Sequence, residues 1–536
     1  MIYLGINGGF GGGYQDIAAC FIRDGKIVFA AEEERFNRIK FSPGVLPLLS
    51  IKQGLSYLKL VASEIKVVAM HGVTWSEDKE SKIKSYFRFH FGISPEIRFY
   101  HHHDCHAASV FYTTSVNDAL VFSMDSSGDG ISTRITSFKG DQKKIIQDYE
   151  RPQSLGFFYS AITQYCGFKR DADEYKLMGL APYGKDLERV NLDFFLRWDK
   201  QEYIIDEIFF NGFEPQRPAP SRQELLFSQM LQQELASGPY HFEFSNDKIK
   251  SLAFSAQKQL EDVLISLVEY HAKETGHRNI AFCGGVANNC VMIGKLQKFF
   301  PKLNIITSPF SGDQGISIGA ACLAATDEGE VIQPIKNAYL GIDYENDKIS
   351  SVLKKCKLKY KESTDVIQEA AKMLNDGKII GWFHGRSEIG PRALGNRSIL
   401  ANACDKGIKD KINHDVKFRE SYRPFAPMVR KDDFDNYFLG VKKSYPYMTE
   451  TVECKETLLD KAKDIVHVDN TARVQTITLD VAPMLDDLLM KTSGLLINTS
   501  LNTRNMPMVE SPTDAIECFY STGLDALVIG NFILKK

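Results

Sequence analysis

Hydrophobic and polar positions alternate along two similar stretches within the first 150 residues. The first reads YLGINGGFGGGYQDIAACFIRDGKIVFAAEEE, and the second reads ALVFSMDSSGDGISTRITSFKGDQKKIIQDYE. Each consists of an apolar segment, a turn rich in glycine and small polar residues, a second apolar segment, a charged turn and a third segment. Alternating segments between such turns predict strands that are joined as β-hairpins.

The repeated unit of strand, glycine turn and strand resembles the layout of actin-like ATPases, in which two such turns face one nucleotide. Two unrelated hairpins are the alternative interpretation. The first turn lies in GINGGFGGGYQDIAA, residues 5–19, which holds six glycines. It lacks the Gly-Lys-Ser/Thr ending of a Walker loop, so it is not predicted to be a loop of that type.

Residues 252–275 have the apolar spacing of a helix, and Gly276 is a suitable residue for its C-terminal end. The pattern then predicts a short strand, NIAFCGG, and a second helix, VANNCVMIGKLQKFF. The pair Gly284 and Gly285 between them would let a ligand approach the backbone and the start of the helix.

The composition changes near residues 335–350, where a polar segment with a proline follows an alanine-rich one. Beyond it, the pattern predicts a helix, a strand and a basic loop, and the last residues predict a strand, a loop, a capped helix and a strand. We therefore predict two α/β domains, residues 1–340 and 345–536, in a chain of 536 residues.

Charge and cysteine usage narrow the class of function. The 65 Lys and Arg against 68 Asp and Glu give a formal net charge of −3, which does not favour nucleic-acid binding. No apolar run is long enough to span a bilayer, and the first residues do not have the pattern of a signal peptide. The ten cysteines contain no CxxC pair, which predicts a reduced, cytoplasmic protein.

The segment YHHHDCHAASVFY holds four of the twelve histidines. His102 and His106 are four residues apart, so on a helix they share one face, and the other two point elsewhere. Asp125 and Asp313 could each add a carboxylate oxygen. Two imidazoles and two carboxylates suit Fe(II), Mn(II) or Zn(II), so the sequence predicts a metal site. A histidine-rich surface turn is the alternative.

Two further segments are candidates for phosphate contacts. The turn DSSGDG, which includes Gly128, could form a nest of backbone N–H groups, and a plain hairpin turn is the alternative. Lys176 lies in EYKLMGLAPYG, which is predicted to be an irregular loop, and a solvated lysine is the alternative there.

Basic residues cluster in three segments of the second predicted domain, GRSEIGPRALGNRS, HDVKFRESYRPFAP and DNTARVQ. Guanidinium groups match the geometry of phosphate and carboxylate, and the glycines and prolines around them indicate shaped loops. The sequence predicts a pocket for a polyphosphate or an acyl phosphate, with solvated surface arginines as the alternative. The candidates are Arg386, Arg392, Arg397, Lys417, Arg419, Arg423 and Arg473, and, after a predicted strand, Asn498, Ser500 and Asn502.

These motifs together resemble the NodU/CmcH family of O-carbamoyltransferases over nearly the whole chain. The motifs are HxxxH, MDSSGDG, KLMGLAPYG, CGGVANN, GDQG, GRSEIGPRALGNRS, SYRPFAP and NTSLN, in this order. The N-terminal part also resembles the catalytic subunit of tRNA threonylcarbamoyl transferase, and the C-terminal part is similar to YrdC-type domains. The resemblance implies an actin-like N-terminal domain of the ASKHA class, a duplicated ribonuclease H-like fold, and a YrdC-like C-terminal domain with a twisted α/β sheet.

The resemblance implies a reaction in two steps. The C-terminal domain would form carbamoyl adenylate from carbamoyl phosphate and ATP, with Mg²⁺ accompanying the ATP. The N-terminal domain would transfer the carbamoyl group to a hydroxyl of a small molecule, such as a natural product, a sugar or a nucleoside, and leave AMP. An iron ion and a homodimer are also implied.

The resemblance assigns roles to individual residues. The metal ligands are His102, His106, Asp125 and Asp313. The residues that hold the adenylate or the nucleotide are Gly128, Lys176, Gly284, Gly285, Asn288, Arg386, Arg392, Arg473, Ser500 and Asn502, and the residues implied in catalysis of the first step are Lys417 and Arg423.

The first glycine turn departs from the family pattern. Family members usually have a histidine directly before an aspartate, whereas here Asp16 follows GGGYQ. Asp16 is therefore our candidate general base, and Tyr14 is a candidate contact of the acceptor. One alternative function is a threonylcarbamoyl-type transferase acting on tRNA, which would need a basic face. Another is a non-catalytic nucleotide-binding regulator, which the intact metal and arginine sets argue against.

Overall fold

The strands form two five-stranded mixed sheets and one eight-stranded mixed sheet, with a two-stranded and a three-stranded sheet beside them. The computed structural model describes residues 1–10, 15–74, 78–140, 142–213 and 224–536. Strands and helices are mixed along these residues, so the predicted α/β class is confirmed.

The first five-stranded sheet contains β1 (Ile2–Asn7), β2 (Ala18–Arg23), β3 (Lys26–Glu32), β4 (Ile65–His71) and β5 (Glu96–Tyr100). Its order is β3-β2-β1-β4-β5, with β1, β2 and β3 antiparallel and β1, β4 and β5 parallel. The helices of this region are α1 (Glu34–Asn37), α2 (Leu48–Leu58), α3 (Asp78–Phe91) and α4 (His102–Phe111).

The next strands are β6 (Asp118–Gly128), β7 (Ile131–Lys139), β8 (Gln142–Glu150), β9 (Leu196–Asp199), β10 (Glu202–Ile205), β11 (Asn279–Cys283) and β12 (Asn304–Thr307). The second five-stranded sheet has the order β12-β11-β6-β7-β8, and β9 pairs with β10 alone. This sheet has the pattern of the first, because β6, β7 and β8 are antiparallel whereas β6, β11 and β12 are parallel. The helices here are α5 (Leu155–Tyr165), α6 (Glu174–Leu180), α7 (Gln229–Glu234), α8 (Asp247–Thr275), α9 (Cys290–Phe299) and α10 (Gln314–Asp327).

The strands of the C-terminal part are β13 (Lys361–Glu362), β14 (Ile380–Phe383), β15 (Arg397–Asn402), β16 (Ala426–Arg430), β17 (Phe438–Leu439), β18 (Val452–Cys454), β19 (Thr471–Ala472), β20 (Gln475–Ile477), β21 (Leu495–Ser500), β22 (Ala526–Ile529) and β23 (Phe532–Lys535). Eight of them form one sheet in the order β13-β23-β22-β14-β15-β21-β16-β20, and β17, β18 and β19 form a separate sheet. The helices are α11 (Asn346–Lys355), α12 (Val366–Asn375), α13 (Ile408–Ile412), α14 (Phe434–Tyr437), α15 (Glu456–Ala462), α16 (Pro483–Met490) and α17 (Pro512–Tyr520).

The eight-stranded sheet is covered on both faces. Along β22, Leu527 and Ile529 belong to one buried hydrophobic cluster, whereas Ala526 and Val528 belong to another. Because successive side chains of a strand point to opposite faces, each face packs against its own set of apolar residues.

Helix α8 confirms the helix predicted over residues 252–275 and begins earlier, at Asp247. Gly276 ends it with a φ of 72°, the left-handed conformation that glycine adopts easily. The irregular loop predicted for EYKLMGLAPYG is wrong, because α6 occupies its first part. The apolar side chains of Leu177, Met178 and Leu180 are buried in the core that α8 also joins, and this burial favours the helix.

Close packing of α10 against α4 and β1 depends on two glycines. A Cβ atom on Gly319 of α10 would lie 1.7 Å from the carbonyl oxygen of Cys105 in α4. A Cβ atom on Gly5 of β1 would lie 1.8 Å from the carbonyl oxygen of Ser317. Only glycine permits these approaches, which fix the position of α4 relative to α10. None of the helices in the described ranges is long and apolar enough to cross a membrane.

We predict that Gly319→Ala lowers the free energy of unfolding by about 1–3 kcal/mol, because the added methyl group overpacks the contact with α4. Urea denaturation followed by circular dichroism measures the change. Gly179→Ala is the matched control, since a Cβ atom there would lie 3.9 Å from its nearest neighbour, an ordinary contact distance. Equal stability of the Gly319→Ala variant and the wild type would contradict the prediction.

Candidate active site

Four side chains converge at the start of α4. One ligand atom from each of His102, His106, Asp125 and Asp313 lies within 4.8 Å of the other three. His106 Nε2 is 3.2 Å from Asp125 Oδ2 and 3.3 Å from Asp313 Oδ1, and His102 Nε2 is 3.5 Å from Asp125 Oδ2. The structure thus brings together the four side chains that were predicted as metal ligands.

Three elements position these side chains. His102 and His106 are one turn apart on α4, so both rings are on the same face. Asp125 lies in β6 where its pairing with β7 shifts register, and Asp313 directly precedes α10. A Cβ atom on Gly128 would lie 2.0 Å from the His102 ring, so this glycine leaves room for the imidazole.

The two neighbouring histidines have other partners. His103 Nδ1 is 2.7 Å from Ser123 Oγ, and its Nε2 is 3.0 Å from the carbonyl oxygen of Ile131. The ring of His101 accepts a hydrogen bond from the backbone N–H of His103 and caps α4. Both rings therefore stabilise the start of the helix.

The donor set fits a divalent transition metal. Within the described part of the chain, Nε2 of His102 is buried and has no hydrogen-bond partner. Burial lowers the pKa of His106, but hydrogen bonds to Asp125 and Asp313 outweigh burial and raise the pKa to about 9. Two adjacent carboxylates favour a positive charge between them, and two imidazoles with two carboxylates suit Fe(II), Mn(II) or Zn(II).

One cavity of about 470 Å³ extends from this cluster to the predicted basic pocket. Its wall includes Asp125 and Asn288 from the N-terminal part of the chain. It also includes Arg392 and Arg423 from the C-terminal part. Residues that the sequence assigns to two separate sites therefore line a single cavity.

Four arginines line the basic end, namely Arg392, Arg419, Arg423 and Arg473. Burial and the neighbouring charge of Arg473 lower the pKa of Arg392 to about 9. Burial and the charge of Arg423 hold the pKa of Arg419 well below its usual range. Clustered guanidinium groups repel one another at low dielectric, and a bound anion removes this cost. The basic end is therefore suited to a ligand with several negative charges.

Lys417 lies behind the basic end and organises its wall. Lys417 Nζ donates to Asn502 Oδ1 at 2.6 Å and to Ser500 Oγ at 3.2 Å. Ser500 and Asn502 line the cavity, whereas Lys417 does not. Burial and the charge of Arg419 hold the pKa of Lys417 well below its usual range. The three predicted residues come together, with the lysine orienting the other two.

Carboxylates also line the cavity, and Asp16 lies near the metal cluster. Asp16, Glu32 and Glu34 are all part of the cavity wall. Burial and the nearby charge of Asp313 raise the pKa of Asp16 to about 8. Asn7 at the end of β1 donates to the backbone carbonyl of Asp16 at 3.0 Å and holds this turn. Residues 11–14, which include Tyr14, lie outside the described residues.

Two predicted ligand contacts have other partners. Arg386 donates to the carbonyl oxygens of Val28, Leu340 and Gly341 and does not line the cavity. It connects the first sheet to the segment that precedes the C-terminal part. These contacts are structural, and its role in nucleotide binding stays a prediction. Lys176 pairs with acidic residues and also lies outside the cavity wall.

In the glycine-rich segment after β11, one residue packs against β6 and others line the cavity. Gly284 has a φ of 85°, and a Cβ atom on it would lie 2.1 Å from the carbonyl oxygen of Met124. It therefore serves the close contact with β6 and, like Gly128, is not part of the cavity wall. Gly285 and Asn288 do line the cavity, and their contact with the adenylate stays a prediction.

Several polar residues of the cavity have no clear signal in the sequence. Tyr159 donates to Gln257 Oε1 at 2.8 Å, and Asn289 donates to the same atom at 2.9 Å. Tyr159 and Asn289 line the cavity and are connected through this buried amide. The motif CGGVANN could have indicated Asn289 beside Asn288, but Tyr159 lies in an apolar helix that looks like ordinary core.

Comparison with known proteins identifies the family. A family model described as Carbamoyltransferase N-terminus matches residues 80–322, and one described as Carbamoyltransferase C-terminus matches residues 371–536. Nodulation protein NolNO of Sinorhizobium fredii is 31% identical to the chain over 100% of it and 83% of that protein. The chain belongs to the carbamoyltransferase family.

Other relatives of this carbamoyltransferase are similar over much of their length. Nodulation protein NolO of Bradyrhizobium diazoefficiens is 34% identical over 81% of the chain and 78% of that protein. Among solved structures, full-length HypF in the phosphate- and nucleotide-bound form overlaps 62% of the chain and 47% of its own, with 13% identity and a TM-score of 0.36. This structural overlap is too low to carry an argument about function.

We predict that the carbamoyltransferase binds about one divalent transition-metal ion per chain at the four-residue cluster. Chelated protein is dialysed against Fe(II), Zn(II) or Mn(II), and the bound metal is measured by plasma mass spectrometry. His102→Ala and Asp125→Ala should each lose the bound ion while circular dichroism remains that of the wild type. His241→Ala, which changes an exposed histidine, is the control and should retain the ion. Full metal content in both cluster variants would place the ion elsewhere.

Proposed function

We propose that this carbamoyltransferase forms carbamoyl adenylate at the basic end of the cavity and transfers the carbamoyl group to an alcohol at the metal end. One observation carries the proposal. The arginine cluster and Asp125 of the metal-ligand cluster line the same cavity of about 470 Å³. A mixed anhydride hydrolyses in water, so a two-step reaction benefits from an intermediate that never leaves the protein.

The first step combines carbamoyl phosphate, water and ATP. Hydrolysis of carbamoyl phosphate gives carbamate and inorganic phosphate. A carbamate oxygen then attacks the α-phosphorus of ATP, the bond to the β-phosphate breaks, and pyrophosphate leaves. The substrates and leaving groups are polyanions, and the proposed role of Arg392, Arg423 and Arg473 is to bind and orient them. Mg²⁺ would accompany the ATP.

The second step takes place beside Asp16. The acceptor hydroxyl attacks the carbamoyl carbon, the C–O bond to the phosphate of the adenylate breaks, and AMP leaves with its electron pair. Asp16 in its ionised form accepts the hydroxyl proton, and its raised pKa makes that form a stronger base than an ordinary carboxylate. A divalent ion held by the four-residue cluster would supply Lewis-acid polarisation of the mixed anhydride.

The fold proposal follows from the sheet topology. The first two five-stranded sheets have matching strand order and direction, as a duplicated actin-like unit of the ribonuclease H class requires. We assign residues 1–340 to this unit and residues 345–536, with the eight-stranded sheet, to a YrdC-like unit. Transfer to a tRNA is disfavoured because the chain has 65 Lys and Arg against 68 Asp and Glu.

We predict that Arg423→Ala abolishes adenylate formation, whereas His106→Ala retains it and blocks transfer. Release of pyrophosphate from ATP and carbamoyl phosphate reports the first step, and the mass of the carbamate product reports the second. Arg430→Ala is the matched control, because this arginine pairs with Asp486 at 2.9 Å and lies outside the cavity wall. If His106→Ala loses pyrophosphate release as fully as Arg423→Ala does, the assignment of the two steps to the two ends of the cavity is disproved.

We further predict that Asp16→Asn slows carbamoyl transfer by about 10²–10⁴-fold, the usual contribution of a general base, while pyrophosphate release persists. The amide is close in size to the carboxyl group but cannot accept the proton at neutral pH. Product formation with a panel of candidate sugars and nucleosides, followed by mass spectrometry, measures the transfer. A transfer rate in the variant equal to that of the wild type would exclude Asp16 as the base.

A further inference from the structure

The loop of residues 418–424, here called the arginine loop, belongs to the C-terminal part and packs against the N-terminal part. Within its own part, Arg419 Nε donates to Asn413 Oδ1 at 2.7 Å. The loop carries Arg419 and Arg423 into the cavity wall. Between them, Tyr422 points away from the cavity and is only 3% exposed. Its ring belongs to the large hydrophobic cluster formed by α5, α8 and the segments around them. We propose that Tyr422 is a positioning residue that sets the geometry of the arginine loop for adenylate formation.

Three aromatic rings of the N-terminal part surround Tyr422. The Phe244 ring stacks on it at 5.3 Å between centroids with an interplanar angle of 2°. Phe242 lies at 6.0 Å and Tyr183 at 6.2 Å. Aromatic contacts of this geometry stabilise a buried ring beyond the area that they cover. These three rings form an aromatic socket for Tyr422. All three come from the N-terminal part, whereas the loop itself belongs to the C-terminal part.

Polar contacts from α6 reinforce the anchor on either side of Tyr422. Glu420 lies 3.4 Å from Lys176, and the guanidinium of Arg423 stacks over the Tyr175 ring at 4.6 Å. Lys176 also pairs with Asp173 at 3.0 Å. Lys176, which the sequence suggests as a nucleotide contact, thus holds the loop that carries the nucleotide contacts.

The anchor is needed because the loop must hold like charges together. Arg419 and Arg423 lie close to Arg392 and Arg473 in the same wall. Without an anion, their mutual repulsion favours a spread loop, and the ordering of a flexible loop would reduce the free energy of substrate binding. Burial of the Tyr422 ring supplies a fixed point from outside the charged cluster, so the arginines are pre-organised before the substrates bind.

The ring of Tyr422, and not its hydroxyl group, makes these contacts. Within the residues that the structure describes, the Tyr422 hydroxyl is buried and forms no hydrogen bond. Replacement by phenylalanine removes only this group and preserves the stack on Phe244. Phenylalanine should therefore rescue the function that alanine removes.

The inference rests on the proposed formation of carbamoyl adenylate, and its test uses the full chain. Tyr422→Ala should raise the KM for ATP and for carbamoyl phosphate about tenfold or more in the pyrophosphate-release assay, because displaced arginines bind the substrates poorly. Tyr422→Phe should have the KM values of the wild type. Tyr165→Ala is the control for loss of a ring from the same core, since Tyr165 is fully buried in that cluster and lies outside the cavity wall.

Limited trypsin digestion gives a readout that does not depend on activity. Cleavage after Arg419 should be faster in Tyr422→Ala than in the wild type, Tyr422→Phe or Tyr165→Ala, because only the first releases the loop. If Tyr422→Ala does not fold, Tyr422→Leu is used, since it keeps apolar burial and loses the stack. Unchanged KM values and unchanged cleavage in a folded variant would overturn the inference. If the wild-type protein releases no pyrophosphate, the proposed function is overturned. The digestion would still test whether Tyr422 holds the arginine loop in place.

Discussion

Like charges held close together at each end of one cavity are the constraint on which the rest of the structure depends. Asp125 and Asp313 lie together at one end, and Arg392, Arg419 and Arg423 lie together at the other. Each group would destabilise the fold unless packing holds it in place or a ligand of opposite charge neutralises it. The fold supplies the packing, and the proposed substrates and metal supply the charges.

The two parts of the chain are joined by hydrogen bonds, and the one between Glu32 and Gly390 borders this cavity. Glu32 accepts a hydrogen bond from the backbone N–H of Gly390 at 2.8 Å, and Arg35 donates to the carbonyl oxygen of the same residue at 2.9 Å. Arg38 donates to the carbonyl oxygens of Pro507 and Met508. These contacts fix the loop that carries Arg392 against the end of β3. The cavity is thus a property of the interface and belongs to neither part alone.

The sequence predicts features within a single helix or strand better than contacts between segments that are distant in the chain. Helical spacing is enough to pair His102 with His106, and the apolar pattern is enough to predict α8, because both depend on the regular geometry of one helix. Arg386 is different, because its bonds to backbone carbonyls distant in the chain leave no local pattern. The continuity of the cavity and the socket of Tyr422 likewise result from contacts between distant segments, which no spacing rule encodes.

The ligands of the proposed metal are distributed over three elements that are distant in the chain. The histidines belong to α4, Asp125 to the second sheet, and Asp313 to the start of α10, which packs closely against β1 of the first sheet. An ion that binds only when these elements are together stabilises the contact between the two sheets. By thermodynamic linkage, the contact strengthens the binding of the ion by the same free energy. The metal would then be a cross-link of the scaffold as well as a participant in the chemistry, and the order of the N-terminal part would vary with the supply of the ion.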